Sequence, residues 1–208
     1  MIYNHNEEEP TEPTEPQEGT GAPFAAGPEE DPLVGLIGEI TEETSQQIAM
    51  MLLALNGNTL RHPINPGDPR PEDIEFFISS AGGSISEMFT IYDLMTLVQQ
   101  RRDIATFGYG KVASAAVPIL AAGTPGKRYI AKHARIMLHH CSSNTGGPVP
   151  LVRSNFNELK KVEDMMVRIL ADHTHLSAGE IYNIFSKNTD EYFSAEDALE
   201  MGIVDKII

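Results

Sequence analysis

The sequence predicts an α/β fold whose strands are largely parallel. Two observations carry this. Short apolar runs alternate with longer segments of 3.6-residue periodicity along most of the chain. Clusters of Gly and Ser follow directly on apolar runs, at Ser80–Ser84 and Gly108–Ser114, and α/β folds build their sites beyond the carboxyl ends of strands.

The elements follow in order. Leu33–Ile40 is a short apolar strand. A helix starts at Thr41, with Glu42 and Glu43 in the first turn where the macrodipole favours carboxylates. Ile48, Met51, Leu52 and Leu55 give it one apolar face, and Gly57 stops it. Asn56–Asp73 holds four prolines and reads as a loop. Asp73–Ser79 is a strand that breaks into Ser80–Ser84, whose paired glycines free backbone N–H groups to face a ligand. Ile85–Gln100 is helical, with Met88, Ile91, Tyr92, Met95 and Val98 on one face. Ile104–Phe107 is the next strand, followed by an expected glycine turn at Gly108–Gly110. A small-residue helix then opens at Ser114 and closes at Gly123.

Lys127–Ala131 and Ala134–His140 are two short strands, and Cys141–Pro150 is a polar loop. Leu151–His173 keeps Val152, Phe156, Leu159, Val162, Met166 and Ile169 on one helical stripe, which makes a helix longer than a domain of this size needs. Ser177 caps another helix through Phe185, with Glu180 in the capping-box position. After the turn Ser186–Glu191, Ser194 caps Ala195–Met201, Gly202 ends it, and Ile203–Ile208 is the last strand. The order is three strand–helix units, two strands, the long helix, two shorter helices and a strand.

Composition narrows the function. The chain has 208 residues and a net charge of −15. Nine of those charges lie in residues 1–31, which contain no Lys or Arg, so the remainder carries −6. Residues 1–31 are Pro-rich and acidic, and are expected to form a disordered tail to a domain spanning 32–208. This balance argues against nucleic acid or an anionic membrane as partner. One cysteine, Cys141, suits a reducing, cytoplasmic setting. No apolar run approaches a membrane span, and the N-terminus has neither signal-peptide nor transit-peptide character.

Acyl transfer needs a nucleophile, a base, a group that fixes the base's tautomer, and N–H donors for the oxyanion. Ser114, at a strand–helix junction rich in small residues, offers the nucleophile. Of seven histidines, His139 and His140 have a rigid mount at the end of a strand, and alternation does not choose between them. The orienting acid could be Asp190, Glu191 or Asp197.

The segments Gly38–Ile40, Ser80–Ser84, Ile91–Met95, Ala113–Arg128, Arg135–His140, Leu170–Thr174 and Tyr192–Ile207 resemble, in order and spacing, the proteolytic subunit of the Clp protease, the ClpP family. The resemblance covers Leu33–Ile208 and marks the chain as a divergent member. It implies a crotonase-like spiral of strand–strand–helix units with a protruding handle helix. It places the nucleophile on Ser114, the base on His139, the orienting acid on Asp190, and the oxyanion donors on the backbone N–H groups of Gly83 and Ala115. It also implies a serine endopeptidase in two stacked rings, typically heptameric, acting on unfolded polypeptides. The handle stripe Val152, Phe156, Leu159 and Val162 would join ring to ring, and Cys141–Pro150 would pair with substrate. No cofactor or metal is implied in this chain itself; ATP would be used by a partner AAA+ unfoldase.

Several positions depart from the family pattern. Ala81 replaces a usual proline, and His140–Cys141 replaces a common Gln-Pro. Cys141 reads as a small buried hydrophobe. The Asn56–Asp73 loop and the acidic tail are long. Glu75 falls where the family generally has an aromatic residue in the unfoldase pocket, which would weaken docking. A structural ring subunit or unfoldase-independent maturation protease is therefore the alternative, and an acyl-CoA enzyme of the crotonase type is a third reading.

Overall fold

The computed structural model describes residues 32–56 and 72–208. The acidic tail and most of the Asn56–Asp73 loop lie outside those residues. Along the chain run β1 (Leu33–Ile40), α1 (Glu42–Asn56), β2 (Ile74–Gly83), α2 (Ile85–Gln99), β3 (Ile104–Ala113) and α3 (Ala116–Ala121). They are followed by β4 (Arg128–Ile130), β5 (Arg135–Leu138), α4 (Val149–His173), α5 (Ala178–Ser186), β6 (Glu191–Phe193), α6 (Ala195–Glu200) and β7 (Lys206–Ile207).

One sheet has the order β1-β2-β3-β4-β7, all parallel as expected. Its inner face is apolar: Ile74, Phe76 and Ile78 of β2 are fully buried, as are Ile48 and Leu52 of α1 and Met88, Ile91 and Met95 of α2. The 3.6-residue stripes of α1 and α2 thus bury where the sequence pattern places them. Every residue of α3 is buried, which accounts for its small and apolar composition. The opposite sheet face carries a ladder of stacked rings, Phe77 on Phe107 and Phe107 on Tyr129, each pair 4.9 Å between centroids.

β3 divides the sheet. Its first half, Thr106–Gly108, pairs with β4, and its second half, Lys111–Ala113, pairs with β5. Between them the β2 register jumps from Ile78↔Gly108 to Ser80↔Val112, so β3 carries two extra residues there. The glycines expected to form a turn at Gly108–Gly110 instead sit in a bulge of one continuous strand. A bulge bends a strand and increases its twist. Here it carries the strand end away from β4 and toward β5. Likewise β2 does not break at Ser80 but runs through Gly83.

β6 was not among the expected elements. It pairs antiparallel with β5. Three residues flanked by a turn and a capped helix leave too little alternation to read from sequence. α4 has 25 residues and is about 37 Å long. It starts at Val149, two residues before the expected Leu151. Only Met166, Val167 and Leu170 are buried, while Val149, Leu151 and Phe156 are exposed, so its N-terminal part projects from the body. The Ser177–Glu180 capping box is formed on both arms.

Candidate active site

Three strand ends converge. Ser114 follows β3, His139 follows β5, and Asp190 precedes β6. Ser114 N–H donates to Met137 O at 2.8 Å, which ties the β3 end to β5. In the β5–β6 ladder Ile136 faces Phe193, Met137 faces Tyr192 and Leu138 faces Glu191. The next pair in that antiparallel sequence is His139 opposite Asp190. Register therefore brings imidazole and carboxylate together, and a slip of one residue would separate them.

Ser114 Oγ lies 2.7 Å from His139 Nε2. On the other side of the ring, His139 Nδ1 lies 3.4 Å from Asp190 Oδ1. With Nδ1–H directed at the carboxylate, Nε2 is left to accept the Ser114 hydroxyl proton. Ser114 has φ +53, the one non-glycine residue with positive φ among the described residues. A left-handed serine costs on the order of 1–2 kcal/mol, which the β3–β5 pairing and the buried α3 offset. Ala115 occupies the N-cap of α3 without a side-chain bond, so the Ser114 hydroxyl does not cap that helix and is given to His139.

The glycine turn at the end of β2 packs against this elbow. Gly82 has φ +88, and a methyl group there would lie 2.6 Å from Ala113 O, 2.8 Å from Ser114 Cβ and 3.0 Å from Ala115 N. Only glycine permits that approach. Ser80 Oγ supports the turn by accepting from Gly82 N–H at 3.0 Å. Gly83, with φ +148, is pressed equally closely onto Ile40. The N–H-bearing segments Gly82–Gly83 and Ala115 thus flank the serine.

The other candidates are held elsewhere. Glu191 pairs with Lys187 at 2.8 Å, and Asp197 closes a capping box with Ser194. His173 bonds the Tyr92 hydroxyl at 3.0 Å, and burial lowers its pKa. His175 Nδ1 lies 3.1 Å from Glu200 O. His140 lines the cleft, but its buried Nδ1 has no hydrogen-bond partner among the described residues. His5 and His62 lie outside the described residues. Cys141 is half-buried, and burial, with the Glu163 charge adding, pushes its thiol up to about 11. Little of it is thiolate at neutral pH, in keeping with its reading as a small hydrophobe.

Ser114 and His139 open onto a cleft of about 860 Å³, walled by Gly82, Gly83, Phe89, Val162, Met165 and Met166. The sequence reading did not single out Phe89 and Met165 as site residues, because nothing in their helical periodicity separates a cleft wall from a core or surface position. No group of three metal-ligating side chains occurs among the described residues.

A family model described as Clp protease matches residues 30–208. The chain belongs to the Clp protease family. It is similar to the ATP-dependent Clp protease proteolytic subunit 2 of Bifidobacterium longum, at 34% identity over 86% of this chain and 79% of the relative. Subunit 1 of Corynebacterium glutamicum is 34% identical over 86% of this chain and 79% of its own length. Subunit 2 of Cutibacterium acnes is 31% identical over 90% and 89%. Within this family, the Ser114–His139–Asp190 geometry is that of a Ser-His-Asp triad, and the chain is a serine endopeptidase.

Proposed function

We propose that residues 32–208 form a peptidase domain that cleaves unfolded polypeptides through an acyl-enzyme, preceded by the acidic segment 1–31. Ser114 Oγ attacks the scissile carbonyl while His139 Nε2 takes its proton. Asp190 holds the imidazole in the productive tautomer and stabilises the imidazolium. The backbone N–H groups of Gly83 and Ala115 receive the oxyanion. His139 then protonates the leaving amine, and water, activated by the same imidazole, releases the acyl group. The observation that carries this reading is the 2.7 Å contact between Ser114 Oγ and His139 Nε2, with Asp190 on the far nitrogen.

The assembly proposed is two stacked rings, heptameric as is typical of the family, in the cytoplasm. The projecting α4 supports ring-on-ring packing, since Val149, Val152, Phe156 and Leu159 line an exposed apolar groove along it. Among the described residues no helix is long and apolar enough to cross a membrane. An ATP-driven unfoldase would deliver substrate, as the relatives' designation "ATP-dependent" suggests. One observation favours a second reading in which the peptidase works without it. Glu75 precedes Phe77 by two residues in β2, so it shares the face of the aromatic ladder and places a carboxylate beside an otherwise apolar surface.

A fluorophosphonate probe tests the chemistry. Ser114 should be labelled, and Ser114→Ala should remove both labelling and hydrolysis of a fluorogenic peptide. Persistent peptide cleavage in the Ser114→Ala protein would overturn the assignment. Cleavage of a folded protein substrate with and without an added AAA+ unfoldase and ATP separates the two readings.

A further inference from the structure

Asp190 is more exposed than its imidazole partner: its side chain is 48% exposed, against 30% for His139. It ends the short loop between α5 and β6. An exposed carboxylate at a loop end rotates freely unless neighbours restrain it, and every misaimed rotamer withdraws charge from the imidazole.

The residues around it supply restraint on both faces of β6. Side chains alternate along a strand, so Tyr192 and Asp190 share one face and Glu191 projects to the other. On the first face the Tyr192 hydroxyl lies 3.4 Å from Asp190 Oδ2, the oxygen not facing His139. On the second face Glu191 Oε2 accepts from Lys187 Nζ at 2.8 Å, and Glu191 Oε1 accepts from Thr189 Oγ1 at 3.1 Å. One carboxylate thus clasps two residues of the loop that delivers Asp190. Backbone bonds tighten the same loop, with Asn188 N–H donating to Ser186 O at 3.1 Å and Thr189 N–H to Lys187 O.

We propose that Glu191, through Lys187 and Thr189, and Tyr192, through its hydroxyl, are positioning residues that hold Asp190 aimed at His139 Nδ1. The proposal rests on the triad reading above. Neither residue lines the cleft onto which Ser114 and His139 open; each acts through Asp190. The Lys187–Glu191 pair is at the surface, so its hold weakens as salt screens it. Lys187 also neutralises a second carboxylate next to Asp190, so its loss leaves two like charges adjacent in sequence.

The test uses the full chain in its native assembly and a short fluorogenic peptide. Tyr192→Phe, Glu191→Gln and Lys187→Gln should each lower kcat about three- to tenfold while leaving KM unchanged. Lys187→Arg should retain most of the parent kcat. Raising NaCl from 50 mM to 1 M should lower kcat of the parent and not of Glu191→Gln. In an Asp190→Ala background all of these effects should vanish, because there is no carboxylate left to aim. Parent-like kcat in Tyr192→Phe and Glu191→Gln would overturn the proposal. So would equal losses in the Asp190→Ala background, or losses that track a lowered melting temperature. If Asp190→Ala itself is fully active, the triad reading fails; if Asp190→Ala is impaired and the positioning variants are not, only this proposal fails.

Discussion

Removing the Asp190 carboxylate should cost far less than removing Ser114. The carboxylate oxygen sits 3.4 Å from Nδ1, with the Asp190 side chain 48% exposed. At that separation, Coulomb's law gives about 1 kcal/mol in a water-like dielectric and about 5 kcal/mol at an effective dielectric of 20. Half exposure places the interaction with the forming imidazolium between these limits, at about 2–3 kcal/mol. Asp190→Ala should therefore lower kcat by about 30- to 150-fold. Ser114→Ala, which removes the nucleophile, should lower it on the order of 10⁴-fold or more. Asp190→Asn should be worse than Asp190→Ala by about another tenfold. An amide NH₂ facing Nδ1 favours the tautomer in which Nε2 keeps its proton and does not accept from Ser114. The assay is peptide hydrolysis, with the fluorophosphonate labelling rate as an independent measure of acylation. Equal losses in Asp190→Ala and Ser114→Ala would refute the screening argument, and a kcat unchanged in Asp190→Ala would refute the role itself.

Four further outcomes are expected. Arg128 is 8% exposed and bonds Asp205 through two nitrogens, while its Nη1 reaches Ala121 O, His173 O and Gly202 O. Arg128→Met should destabilise the fold by about 3–5 kcal/mol, lowering the melting temperature by roughly 10 °C, and Arg128→Lys should recover little. Burial alone pushes the Asp205 carboxyl up, but the Arg128 hydrogen bonds and charge, with backbone donors, bring it below the usual range. Its folded value is thus depressed, so its contribution is complete above the unfolded value of about 3.9 and lost as pH falls through the lower folded one. Melting in a Ser114→Ala background should show that acid loss in the parent and less of it in Asp205→Asn. Gly82→Ala should fold but label at least about tenfold more slowly, because its methyl group would meet Ser114 Cβ at 2.8 Å and its φ is +88. Unchanged labelling would show that the turn does not support the elbow. Cys141, with its thiol raised to about 11, should alkylate slowly at pH 7, with the rate rising about tenfold per pH unit toward that value. Rapid modification at neutral pH would contradict its burial.

Local chemistry in the sequence determined much of this protein. The stripes of α1 and α2, the capped start of α5 at Ser177 and the alternation that implies parallel strands all depend on neighbours a few residues apart. The choice of Ser114 also came from local composition, a glycine-rich strand end followed by small residues. What the residues alone left open was any choice that depends on a distant partner. His139 and His140 are equivalent in sequence, and only the β5–β6 register sets one opposite Asp190. Glu191 and Asp197 were plausible acids until the fold committed them to Lys187 and Ser194. The bulge in β3 was read as a turn because the same glycines serve either purpose, and only pairing with β2 and β5 keeps the strand continuous. Periodicity and capping act over a single turn of helix or a single strand, whereas register and ion pairing join residues tens of positions apart. Those longer connections placed hydroxyl, imidazole and carboxylate in one line.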